Sequence, residues 1–90
     1  MKISQQKRDK IYEQILALLY SLSPKPLFTS HIAREIARDE EFTKKLLFDL
    51  QLKKIIVEVN KNNLGKQYLR RIRWRLSNQA YEAYKLSVSK

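Results

Sequence analysis

The chain has no cysteine, one glycine, two prolines and one histidine in 90 residues. Without cysteine there is no disulfide framework, no thiolate zinc site and no thiol nucleophile. A single glycine, Gly65, excludes a glycine-rich phosphate loop, and a single His31 excludes a two-histidine metal pair. Ser30 stands beside His31, but adjacency alone does not build a catalytic triad. No catalytic residue, metal or cofactor is expected, and the chain is not read as an enzyme. Long apolar runs are missing too: the longest, Ile15 to Tyr20, is far too short to span a bilayer, and the first ten residues hold no apolar signal core. The expected setting is cytoplasmic, with no membrane partner.

Acidic residues are scarce. Nineteen Lys and Arg stand against nine Asp and Glu, a net charge of +10. A surplus of that size favours a polyanionic partner, because a cationic patch is drawn to a dense array of phosphates. A hydrophobic fraction of 43% is enough for a packed core, and the length fits one domain over residues 1–90.

The hydropathy pattern predicts four helices and a hairpin. Ile11, Ile15, Leu18, Leu19 and Leu22 recur at helical spacing from about Ser4 to Leu22. Tyr12, Leu16 and Tyr20 add a second stripe, more apolar surface than one face on a small core is expected to hide. Ser23-Pro24-Lys25-Pro26 ends this helix, and a short extended piece, Leu27-Phe28, follows. Thr29 or Ser30 is expected to cap a second helix with Ile32, Ala33, Ile36 and Ala37 on its inner face. Asp39 is expected to cap a third, whose Phe42, Leu46, Leu47 and Leu50 face inward through about Leu52, with Glu40 and Glu41 at the positive end of its dipole. A turn of roughly three residues joins these two helices.

Beyond them the period changes from helix to strand. Ile55 to Val59 is β-branched and short, Asn60 to Lys66 reads as a turn, and from Gln67 the sequence alternates. Tyr68, Arg70, Ile72, Trp74 and Leu76 fall on one side, and Leu69, Arg71, Arg73 and Arg75 on the other. Trp74 is expected in the core beneath the hairpin. Ser77 then caps a last helix, Asn78 to about Leu86, with Ala80, Tyr81 and Tyr84 as its apolar positions.

Helix, short strand, helix, helix, two-stranded wing, helix is a mainly α order with a small β-hairpin, and it resembles the winged helix-turn-helix superfamily. Two stretches carry the likeness. Thr29-Ser30-His31-Ile32-Ala33 followed by Leu47 to Ile56 resembles the family's second helix, recognition helix and "Gly-Leu-Ile" approach to the wing. Trp74-Arg75-Leu76-Ser77 is similar to the "Tyr-x-Leu-Thr" that closes the wing in the multiple-antibiotic-resistance repressor family. Lys54 and Ala80 depart from it, standing where that family often has glycine. The resemblance implies a DNA-binding transcriptional regulator with its third helix in the major groove and a basic wing on the phosphate backbone.

Splitting the charge by segment divides the expected roles. Residues 39–54 are neutral, with Lys44, Lys45, Lys53 and Lys54 against Asp39, Glu40, Glu41 and Asp49. Residues 55–76 carry six basic side chains against Glu58 alone. The expected contacts with double-stranded DNA are therefore Thr29, Ser30 and His31 on the second helix, Thr43, Lys44 and Lys45 on the third, and Lys61, Asn62, Asn63, Lys66, Gln67, Arg71 and Arg73 on the wing. One short recognition helix seldom gives enough specificity alone, so a homodimer is expected. Tyr12, Leu16, Tyr20, Tyr81, Tyr84, Leu86 and Val88 are the surface expected to form it. Two other readings fit the same residues: an RNA-binding or ribosome-associated winged helix, and a protein-interaction winged helix in a larger complex.

Overall fold

The computed structural model describes residues 4–59 and 72–88. Its element order is α1 (Gln5–Leu22), β1 (Leu27–Phe28), α2 (Thr29–Glu35), α3 (Glu40–Leu52), β2 (Ile56–Val59), β3 (Arg73–Leu76) and α4 (Asn78–Val88). The caps expected at Asp39 and Ser77 form, and Ser4 caps the first helix as well. The Ser4 hydroxyl accepts from the Lys7 amide at 3.2 Å, Asp39 Oδ2 from Phe42 at 3.1 Å, and Ser77 Oγ from Ala80 at 3.1 Å. Each satisfies one of the first-turn donors a helix leaves open.

The second helix differs. It begins at Thr29 with Phe28 in the capping position and no side-chain cap. The Thr29 hydroxyl accepts from Trp74 Nε1 at 2.8 Å instead, and Ser30 already lies inside the helix. The demand of a buried indole N–H has taken the hydroxyl that local sequence assigned to the cap.

Both helices of the helix-turn-helix end in a Schellman motif. After α2, the Ala37 amide bonds Arg34 O at 3.2 Å and the Arg38 amide bonds Ala33 O at 3.0 Å, with Ala37 at φ 56. After α3, Lys54 bonds Gln51 O at 2.9 Å and Ile55 bonds Leu50 O at 3.0 Å, with Lys54 at φ 62. Lys54 thus takes the left-handed backbone that glycine adopts at no steric cost. Residues 36–39 form the turn, one residue longer than the sequence suggests because Ile36 leaves the helix as its C-cap.

The sheet is antiparallel in the order β1-β3-β2. Leu27 pairs with Trp74 and Phe28 with Arg73, while Ile56 pairs with Leu76, Val57 with Arg75, Glu58 with Trp74 and Val59 with Arg73. The short strand before the helix-turn-helix is therefore a third member of the sheet, placed beside β3. Trp74 is fully buried in a core with Ile15, Leu19, Leu27, Ile32, Leu46, Leu47, Leu50 and Ile56. Phe48 meets its indole edge-on at 5.6 Å between ring centroids.

Candidate nucleic-acid interface

The outer surface of the helix-turn-helix follows from the buried stripe of α3. Thr43, Leu46, Leu47 and Leu50 face inward, which leaves Glu40, Glu41, Lys44 and Lys45 exposed on its first two turns. On α2, Ser30 is exposed and His31 half-buried, with His31 Nε2 3.6 Å from Glu35 Oε1 one turn on. The two helices that carry these side chains pack against each other.

Two of the four acids of residues 39–54 accept hydrogen bonds from within the chain, exposed Asp39 and half-buried Asp49. Asp39 caps α3, and Asp49 accepts a hydrogen bond from the Tyr12 hydroxyl at 3.2 Å. On the exposed first two turns Asp39, Glu40 and Glu41 stand beside Lys44 and Lys45.

Two of the expected contacts are turned inward. Thr43 is fully buried, and its hydroxyl donates to Asp39 O at 2.8 Å, so it leaves the proposed DNA face. Its place among Leu46, Leu47 and Leu50 fixes that, since a residue on the inner stripe of a helix cannot also reach a groove. Thr29 is half-buried with its hydroxyl accepting from Trp74, which makes it a support of the core more than a free contact. Lys44, Lys45, Ser30 and His31 keep exposed or partly exposed side chains. Lys61, Asn62, Asn63, Lys66, Gln67 and Arg71 lie outside the described residues.

Arg73 is half-buried on the outer side of β3, its guanidinium 6.0 Å from the centroid of the Phe28 ring. Such stacking restricts a long side chain while leaving its charge in place. Arg75 donates to Leu76 O at 3.0 Å.

The surface expected for self-association changes more. Tyr12 is buried at 9% exposure beneath α3, and burial, with Asp49 beside it, raises its phenol above the ordinary value of 10.0. Tyr20 packs at 5.2 Å against Tyr81 and 4.7 Å against Tyr84, tilted in both cases. Leu16 is half-buried against the core. The second stripe of α1 thus has partners within the chain, α3 at Tyr12 and α4 at Tyr20, while Leu16 and Tyr20 stay partly exposed. Of the expected residues, Leu86 at 69% and Val88 at 52% are openly exposed.

Nothing in the local sequence pairs Tyr12 with Asp49, Phe48 with Trp74 or Phe28 with Arg73. The only signal for the first was a polar residue at the margin of each apolar stripe, and nothing local joins positions so far apart.

Among the described residues there is no group of three metal-ligating side chains, and no helix is long and apolar enough to cross a membrane. No family model matches the chain, and neither does any curated protein. Solved structures do. The crystal structure of the Staphylococcus aureus MepR–DNA complex is similar at 23% identity with a TM-score of 0.69, over 94% of this chain and 73% of that one. MepR described as a transcription regulator of the S. aureus multidrug efflux pump MepA gives 22% and 0.67 over 93% of this chain. An apo variant of Lactococcus lactis ZitR gives 20% and 0.64, also over 93%. The chain spans 64% and 61% of the length of the latter two, less than two thirds of each. At these identities the likeness is one of fold, and by fold the chain is a winged helix-turn-helix protein.

Proposed function

We propose that this chain is a DNA-binding transcription regulator that lays α3 in the major groove and its basic wing along the phosphate backbone. The observation that carries the reading is the pair of exposed lysines, Lys44 and Lys45, on the first two turns of α3, with exposed Ser30 and half-exposed His31 on α2, the helix packed against it. The fold likeness to MepR in complex with DNA supports it. In this docking the first turns of the recognition helix meet base edges and flanking cations meet phosphates. Arg73, stacked on Phe28, and the basic residues of 61–71 supply the sequence-independent part.

We also propose that the regulator acts as a homodimer, now through Leu86 and Val88 at the end of α4, because two half-sites multiply the specificity of one short helix. Sedimentation as a monomer at roughly 100 μM, well above typical dimer affinities, would remove that part of the proposal and leave the DNA reading standing.

The functional test is selection of sites from random duplexes followed by competition with structured RNA. Enrichment of a defined duplex that RNA displaces poorly supports the reading. Equal displacement by RNA favours the RNA-binding alternative, and no retention of either polymer near physiological salt favours a protein partner.

A further inference from the structure

A recognition helix held only by apolar packing keeps some freedom to roll, since burial is non-directional and hydrogen bonds are not. In this chain α3 is tied on both flanks of its buried stripe by consecutive residues, Phe48 and Asp49. Phe48 meets Trp74 edge-on, and Trp74 is itself fixed by its 2.8 Å bond to Thr29 on α2. Asp49 accepts from the Tyr12 hydroxyl on α1 at 3.2 Å. The ammonium of Lys53, the C-cap of α3, lies 5.4 Å from the centroid of the Tyr12 ring. One turn before Tyr12 on α1, Arg8 buries its Nε, which has no hydrogen-bond partner among the described residues.

Helical spacing links these ties to the outward face. Lys44 stands four residues before Phe48 and Lys45 four before Asp49, so each lysine shares a side of the helix with one tie. A roll of 10° displaces a side chain at the helix surface by about 1 Å, enough to spoil a bidentate contact with a base edge.

We propose that the Tyr12–Asp49 hydrogen bond is a brace that sets the roll of α3 against α1, which makes Tyr12 and Asp49 positioning residues for sequence discrimination by Lys44 and Lys45. The inference rests on the DNA-binding reading for its consequence but not for its geometry. Tyr12 lies under α3 and touches no nucleic acid; it acts through the helix it holds. The Phe48 tie remains when the brace is cut, so α3 stays folded and packed while its orientation relaxes.

The test has two arms. In the first, residual dipolar couplings of the free protein give the orientation of α3 relative to α1 in the parent chain, Tyr12→Phe, Asp49→Ala and Asp49→Asn. The brace predicts a changed orientation in Tyr12→Phe and Asp49→Ala, and the parental one in Asp49→Asn, whose amide oxygen still accepts from the phenol. In the second, the variants are titrated on a duplex selected by the parent chain and on a random duplex. Tyr12→Phe and Asp49→Ala should each lower the cognate-to-random ratio about fivefold or more, the scale of one base contact, with an unchanged salt slope. The double variant should lose no more than the larger single loss, and Asp49→Asn should keep the ratio. Parental orientation in Tyr12→Phe, or equal losses on both duplexes that merely follow stability, overturns the proposal. Should the parent chain select no duplex, the functional reading fails, and the first arm still decides the brace.

Discussion

Helices α3 and α4 both touch α1 and are held in opposite ways. The first buries Thr43, Leu46, Leu47 and Leu50 and adds ties through Phe48 and Asp49. The second buries no residue fully and rests on α1 through Tyr81 and Tyr84 against Tyr20. The difference teaches where the fold invests rigidity: on the helix that carries Lys44 and Lys45, and much less on the helix that ends in exposed Leu86 and Val88. Local stability follows local burial, so α4 is expected to open at lower free energy than α3.

Truncation is the sharpest way to break that contrast. Leu47→Ala removes a fully buried side chain and should cost about 2 to 5 kcal/mol by urea unfolding. Tyr84→Ala, which removes one half-exposed ring contact, should cost no more than about 1.5 kcal/mol. Equal costs would show that α4 is as integral as α3. Smaller is Ser77→Ala, which deletes the cap of α4 and should destabilise by about 1 kcal/mol. Its amide exchange should quicken mainly in α4, whereas uniform quickening would mean that the two helices open together.

A gain is expected next. Lys54 and Ala37 sit in left-handed backbone at the ends of α3 and α2, so Lys54→Gly should raise the unfolding free energy by roughly 0.5 to 1 kcal/mol, the steric relief exceeding the added freedom of the unfolded chain. A loss on substitution would show that the lysine side chain matters more than its backbone. The smallest effect concerns pH. The raised phenol of Tyr12 means that the folded protein holds this proton more tightly than the unfolded chain, whose value lies near 10.0. Its contribution is whole below that value and lost as pH rises through the folded one. Tyr12→Phe should therefore flatten the fall in stability above pH 10 relative to the parent chain, as followed by denaturant midpoints. Identical slopes would mean that the phenol titrates alike in both states.

Most of the architecture was legible because local signals agreed with the fold. Asp39 and Ser77 stand at the caps their chemistry favours, and the change of period after Lys54 marks the strands. Local signals do not reveal residues claimed by distant partners: Thr29 by Trp74, Tyr12 by Asp49, and Tyr20 by Tyr81 and Tyr84. The site was legible to the same degree. Lys44 and Lys45 are exposed as their spacing implies, while Thr43 falls on the inner stripe, a difference of one residue that the pattern of leucines does contain.

The central claim is that the braced helix is the one that meets DNA. Amide chemical shifts recorded while a selected duplex is added test it directly, because α3 and α4 are reported in one spectrum. The account predicts the largest changes at Ser30, His31, Lys44 and Lys45, with residues 82–88 little affected. Changes concentrated in 82–88, with the amides of α2 and α3 unmoved, would contradict it.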